Sequence, residues 1–437
     1  MRKKILVAVL SLVAVFAITT LAISQMDRKT KDDLYSQIEL YSYTLTTIQS
    51  DYVDELESKK LIYGSLKGML ATLDPHSQFL DPDEYKELKT ETQGKFGGLG
   101  IEISIKDGLL TVISPIEDTP AWKAGIKAGD HIVKIEDDLT RDITLNDAVK
   151  KLRGKPGTDV KITVLRDEEF KILEFTIKRE IIHITDVKNV MILKDTIGYI
   201  RLAEFREDSA IQFHKALEQL KSEGAQNLIL DLRNNPGGLL NVAIDITEEF
   251  FPEGTLIVTT KARRVSQNTE TRSTNKDHVI DWPMVVLINE GSASGSEILA
   301  GALKDNKHAI ILGTKSFGKG SVQSVIPLPD GSGLRLTTSK YFTPSGVSIH
   351  GIGIQPDIIV KANPPEEKKN EKDEKTKNID KVFDEINTKK DTEKTDLSKA
   401  EQKLKEAKDL LLKDNQVQSA ISVLEGIKVY KSFVDKK

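Results

Sequence analysis

Apolar residues recur every three or four positions early in the chain. Leu34, Ile38, Tyr41, Leu45 and Ile48 form one stripe, the spacing of an amphipathic helix. Helix is predicted from about residue 29 to 95, with a second short helix over 61–70. Pro75 interrupts it, because a proline disfavours helix in the residue before it, here Asp74. The pattern then changes to strands: Ile101, Ile103 and Ile105, then Leu110, Val112 and Ser114, with further strands over 160–165 and 173–177. One short helix separates them. Thr144 can cap it, Leu145, Ala148, Val149 and Leu152 form its expected buried face, and Gly154 can end it. Residues 96–182 are thus expected to be a small, mostly-β module.

From 183 to 361 strands and helices alternate. Strands are expected at 197–202, 227–231 and 284–288, and helices at 209–223, 239–250 and 296–303. Such alternation argues an α/β layer around a mostly parallel sheet. Residues 362–396 are dense in Lys, Glu and Asp and read as a solvated linker. Beyond it, Leu397, Ala400, Leu404, Ala407 and Leu411 make one helical stripe, and Ala420, Leu424 and Ile427 another. This is a helical hairpin over 397–437, suited to packing or self-association. The remaining boundaries are a leader at 1–24 and a helical segment at 25–95.

Composition narrows the chemistry. The 437 residues include no cysteine, which removes disulfides, thiolate metal sites and cysteine nucleophiles. A net charge of −4 gives no general pull toward nucleic acid. The leader adds a compartment. Arg2, Lys3 and Lys4 precede an apolar run from Ile5 to Ile23, the pattern of an export signal. Ala22 and Ser24 suit cleavage after Ser24. The run is also nearly the ~20 residues that span a bilayer, so it can stay as an anchor. Either way the rest of the chain is expected outside the cytoplasm, in a periplasmic or other extracytoplasmic space.

Three segments can carry chemistry. In the first, the apolar run Val285–Ile288 leads through Asn289-Glu-Gly-Ser-Ala-Ser-Gly295 into a helix. A serine at that turn has its hydroxyl where free N–H groups and the helix dipole favour negative charge. Ser292, Ser294 and Ser296 compete for the role, and each also suits a plain helix cap or turn. The second is Gly318-Lys319-Gly320, between apolar runs. A lysine there is placed for the desolvation that would leave it neutral and basic. Lys315 is its competitor, while His308 and His350 sit in no comparable motif. The third is Asp231-Leu-Arg-Asn-Asn-Pro-Gly-Gly238. Gly237 and Gly238 can present backbone N–H groups to an oxyanion, or simply form a turn. The run Gly313–Lys319 imitates a phosphate-binding loop, but Gly320 stands where a magnesium-binding Ser or Thr is needed. In the β module, Gly98, Leu99, Gly100 and Ile101 can cradle a carboxylate beside a strand edge.

Together these residues resemble the carboxyl-terminal-processing (tail-specific) serine–lysine proteases. The resemblance spans about 32 to 357. Its runs are Leu73–Ser77, Gly97–Ile101, Asp231–Gly238, Gly291–Glu297, Gly318–Gln323, Thr343–Gly346 and Gly351–Asp357. It implies a multidomain α/β fold: a crotonase-like or ClpP-like layered protease core, an inserted PDZ domain and helical N- and C-terminal segments. It implies Ser294 as nucleophile, Lys319 as general base and Gln323 as the residue orienting that lysine. It implies Gly295, with Gly237 or Gly238, as oxyanion donors, and leaves Glu297 without a role. Protein substrates would enter by their free C-termini, with no metal or cofactor and no nucleic acid. An inner-membrane tether, a homo-oligomer and a regulatory adaptor are further partners it allows. A non-catalytic PDZ scaffold with a decayed protease fold is the alternative of a different class. An acyl-CoA enzyme on a similar fold is disfavoured by the export signal.

Overall fold

The computed structural model describes residues 33–106, 108–116, 118–141, 143–166, 171–276, 280–363 and 396–434. The leader and most of the charged linker lie outside them. Among the described residues no helix is long and apolar enough to cross a membrane.

The chain forms two units. The first comprises residues up to 82 together with 325–336. It is helical over 33–51 and again over Ser58–Ala71. The helix ends in a turn organised by Asp74, whose carboxylate accepts hydrogen bonds from the N–H groups of His76 and Ser77 and from Ser77 Oγ. A strand, Gln78–Leu80, follows and pairs antiparallel with residues 333–335. The all-helix expectation for 29–95 is corrected there: once Asp74 has turned the chain, a partner strand decides its conformation.

The second unit holds the remainder. Its β module has the strands Ile101–Lys106, Leu109–Pro115, His131–Ile135, Asp159–Arg166 and Lys171–Lys178 in that spatial order. The helix Leu145–Leu152 packs across them, with Thr144 Oγ1 accepting from the Asp147 N–H at 3.2 Å. Ala148 and Leu152 are buried as expected. Leu145 is not, because the first residue of a two-turn helix faces outward here.

The main sheet orders its strands as in the chain: Val187–Lys194, Ile197–Leu202, Asn227–Asp231, Met284–Ile288, Ala309–Gly313 and Ile358–Ile359. The first pair is antiparallel and the rest are parallel. Both faces are covered, and alternate side chains serve opposite layers. Ile200, Leu230, Val286 and Ile311 join the core beneath the helices Ser209–Ser222, Leu240–Glu248 and Gly295–Asp305. Tyr199, Ile229, Val285 and Leu287 face the other way. Val417, Ala420, Ile421 and Leu424 of the C-terminal helix Asn415–Val434 cover them. Each such buried aliphatic contributes about 1.5–3 kcal/mol relative to exposure, so this helix belongs to the core. It is preceded by the helix Asp396–Leu411. There Leu404 is exposed, contrary to the expected stripe, while Ala407 and Leu411 pack against the sheet. The side chains of Leu397 and Ala400 lie outside the description.

A second, antiparallel layer contains Leu256–Ala262 and Thr269–Arg272, with residues 339–342 paired to the former. It was not anticipated, and it supplies a residue of the site.

Candidate active site

Three kinds of local geometry would make a serine reactive: an exposed hydroxyl, a strained support and nearby donors. The three candidate serines separate on the first. Ser292 Oγ donates to the Leu232 carbonyl at 2.8 Å and Ser296 Oγ to the Asn235 carbonyl at 2.9 Å. Both side chains are fully buried and brace the turn. Ser294 is 8% exposed, and its Oγ lies 2.9 Å from Tyr341 Oη. Its backbone sits at φ 53°, ψ −111°, a region costly for any residue but glycine. The sharp bend lies after the turn that follows the strand Met284–Ile288 and opens the helix Gly295–Asp305, so Oγ stands at the positive end of the helix dipole.

Glu297, for which sequence offered no role, is the hub. Its side chain is completely buried. Oε2 accepts from the Ser294 N–H at 2.9 Å and from the Lys319 N–H at 2.8 Å. Oε1 accepts from Ser316 Oγ at 2.5 Å and from the Gly318 N–H at 2.7 Å. The backbones of the serine turn and of the lysine loop therefore share one carboxylate oxygen. Ser316 Oγ in turn accepts the Ile354 N–H at 2.6 Å. That contact explains the run Gly351–Asp357: a Cβ at Gly353 would meet the Ser316 carbonyl at 2.6 Å. Lys319 itself is half-buried, whereas Lys315 is exposed.

Gln323 follows on the strand Ser321–Pro327. Its amide nitrogen donates to Ser321 Oγ at 2.8 Å and to the Ser321 carbonyl at 3.2 Å. His308 packs tilted against Phe250 and edge-on against Phe251, and burial lowers its pKa. His350 is exposed.

The glycine pair lies against the serine. A Cβ at Gly237 would come within 2.6 Å of Ser294 Cβ and 2.8 Å of the Gly295 nitrogen, so only glycine permits this approach. The Gly237 N–H is engaged by Asn235 Oδ1 at 2.9 Å. Gly238 bridges Phe205 in parallel fashion, through the bonds Phe205 N–H to the Gly237 carbonyl and Leu239 N–H to the Phe205 carbonyl. That pattern leaves the N–H of Gly238 on the far side of the segment. Among the described residues the N–H groups of Gly238 and Gly295 donate to no protein group.

The same turn is anchored from behind. Asp231, fully buried, accepts from Arg233 Nε at 2.9 Å, Arg233 Nη2 at 2.7 Å and Tyr199 Oη at 2.7 Å. Burial and the Asp231 charge hold the Tyr199 phenol protonated. Arg233 Nη1 reaches Asp414 Oδ2 at 2.8 Å and Gln416 Oε1 at 2.7 Å. The C-terminal helix thus grips the segment that carries Gly237 and Gly238, a contact that sequence spacing could not signal.

In the β module a groove runs between Leu99, Ile101 and Ile103 on one side and Val149, Leu152 and Arg153 on the other. Among the described residues the strand Ile101–Lys106 is an edge, paired only with Leu109–Pro115. Gly98 lies in a strand opposite Glu180. Gly100 has φ +76° with Thr119 beneath it, where a Cβ would clash at 2.3 Å. Among the described residues the N–H groups of Leu99 and Gly100 donate to no protein group. Arg153 stacks on Phe96 at 4.3 Å.

Comparison with known proteins agrees with this architecture. Residues 196–360 match the model of peptidase family S41, residues 97–178 that of a PDZ domain, and residues 13–84 that of the N-terminal domain of the activating protease CtpB. The carboxy-terminal-processing protease of Bartonella bacilliformis is 44% identical over 345 residues, which cover 78% of each chain. The carboxyl-terminal-processing protease of Synechocystis is 39% identical over 313 residues, covering 70% of this chain and 72% of that one. The solved photosystem II D1 C-terminal processing protease is 30% identical and covers 74% of this chain and 92% of that one, with a TM-score of 0.44. With an S41 core, an inserted PDZ domain and relatives of this identity and coverage, the chain belongs to the carboxy-terminal-processing protease family.

Proposed function

We propose that the protein is an exported serine endopeptidase that cuts proteins near their C-termini with Ser294 as nucleophile and Lys319 as general base. One observation carries the pairing: a single Glu297 oxygen accepts the backbone N–H of both residues. In the mechanism, the neutral Lys319 amine takes the Ser294 hydroxyl proton as Oγ attacks the scissile carbonyl. The oxyanion is received by the N–H groups of Gly295 and Gly238, both without protein acceptors. Gly237, whose own N–H is engaged by Asn235, serves by letting the segment approach. Lys319 returns its proton to the leaving amine, and water then hydrolyses the acyl-enzyme. Gln323, on the strand that leaves the lysine loop, is assigned to orienting Lys319. The basic, then apolar N-terminal leader supports a reaction outside the cytoplasm.

Cleavage of an unfolded protein with an apolar C-terminus tests the dyad. Ser294→Ala and Lys319→Ala are each expected to lose at least about 10³-fold in kcat while keeping the wild-type melting temperature. Activity of the intact enzyme should rise with pH as the lysine loses its proton. Turnover equal to wild type in either variant would sink the dyad, whereas no cleavage by the wild-type protein would leave a binding scaffold as the remaining reading.

The groove of the PDZ domain is assigned to the substrate tail. The tail adds as a strand to Ile101–Lys106 and its carboxylate meets the N–H groups of Leu99 and Gly100. Val149→Asp puts a charge into the apolar wall, so about a tenfold rise in KM is expected for a tail ending in apolar residues. An unchanged KM, or an equal rise for a substrate with an amidated C-terminus, would remove this assignment.

A further inference from the structure

Tyr341 touches the reacting oxygen, yet no motif reading pointed to it. Its hydroxyl lies 2.9 Å from Ser294 Oγ, and its side chain is 3% exposed. The residue is fixed from two sides. Its N–H donates to the Gly320 carbonyl at 3.0 Å, one residue beyond Lys319, and it pairs with Thr260 across the antiparallel layer. The phenol is therefore held by the same loop that carries the lysine, and the nucleophile turn meets both.

We propose that Tyr341 is a further catalytic residue, a fixed hydrogen-bond donor to Ser294 Oγ that stabilises the negative charge gathering on this oxygen during attack. The proposal rests on Ser294 being the nucleophile. Proton bookkeeping is simple: the Ser294 proton goes to Lys319, and the Tyr341 proton stays on its own oxygen throughout. Burial, with the nearby Glu297 charge adding to it and the Ser294 hydrogen bond opposing it, pushes the Tyr341 phenol up to about 12. The group is consequently neutral at working pH. It can give a hydrogen bond to an alkoxide-like oxygen and cannot replace Lys319 as the base. A donor already in place pays no reorganisation when charge develops, which is why such bonds count more in the transition state than in the ground state.

The test compares Tyr341→Phe, Ser294→Ala and wild type on one substrate. The phenylalanine keeps the ring packing and removes only the donor. The expected result is a fall in kcat of about 10- to 100-fold with KM within about twofold. The rate at which a fluorophosphonate labels Ser294 should fall by a similar factor, a readout that needs no peptide binding. Incorporating 3-fluorotyrosine at 341, which retains the donor, should hold kcat within severalfold of wild type. A Tyr341→Phe enzyme at or above the wild-type rate, with Ser294→Ala inactive, overturns the inference and identifies the contact as a resting latch on the nucleophile. An active Ser294→Ala enzyme would instead remove the premise. Equal losses in Tyr341→Phe and the 3-fluorotyrosine protein would assign Tyr341 to packing alone.

Discussion

Glu297→Ala is expected to abolish peptide cleavage and to destabilise the protein by about 4 kcal/mol. The side chain is fully buried and its carboxylate accepts four hydrogen bonds. Alanine leaves three backbone N–H groups and one hydroxyl without acceptors in a site closed to water. Individual hydrogen bonds to charged groups contribute about 1.5–3 kcal/mol, and severing a buried network costs about 3–5 kcal/mol. Glu297→Gln separates position from charge. Its amide group retains one acceptor oxygen, so whichever way it is turned two donors face an NH2 group. The glutamine variant should therefore fold, as read by thermal melting, yet lose at least about tenfold in kcat, because its NH2 group takes the acceptor either from both Ser294 and Lys319 or from Ser316 and Gly318 of the lysine loop. A Glu297→Gln enzyme with wild-type kcat would show that the shared carboxylate does not hold the two residues in register.

The second large effect is expected behind the segment that carries Gly237 and Gly238. Arg233→Met removes the guanidinium that neutralises Asp231, which is fully buried, and leaves it Tyr199 Oη at 2.7 Å, the main-chain N–H of residue 233 at 2.9 Å and the more distant Arg201 guanidinium at 3.6 Å. Removing one partner of a buried ion pair costs about 3–5 kcal/mol, far more than replacing both. Arg233→Met should lower the midpoint of thermal unfolding by about 10 °C. Adding Asp231→Asn to it should recover a large part of that loss. The double variant should nonetheless stay slow in catalysis, because Asp414 and Gln416 no longer hold the turn that presents Gly237 and Gly238. If the double variant falls further instead, the ion pair is not the source of the cost.

Much of this architecture was legible in sequence, for identifiable reasons. The strands 197–202, 227–231 and 284–288 are continuous apolar runs between turn residues, the signature of a sheet buried on both faces, and the structure has them at those positions. Thr144 caps its helix as read. What sequence concealed depends on distance along the chain. Tyr341 lies 47 residues beyond Ser294, near the end of the strand Gly333–Phe342, after the polar run Thr337-Thr-Ser-Lys340. Glu297 sits inside the helix it serves, where an acidic residue in the first turn is unremarkable. Spacing alone left Ser292 and Ser296 beside Ser294, and only the family resemblance chose among them; the hydroxyls of Ser292 and Ser296 reach main-chain carbonyls. Leu145 and Leu404 were assigned to buried stripes by spacing alone, and spacing does not say where a neighbouring layer stops.

The placement of the helix Asn415–Val434 governs the order in which the enzyme is completed. Translation delivers Tyr199, Ile229, Val285 and Leu287 long before Val417, Ile421 and Leu424 exist to cover them. Until those last turns emerge, one side of the sheet is bare and the guanidinium of Arg233 lacks the two oxygens that it meets in the finished protein. A chain still being made thus holds both serine and lysine while the turn beside them is unbraced. Bracing of the turn that carries Gly237 and Gly238 is in this way tied to the arrival of the helix Asn415–Val434.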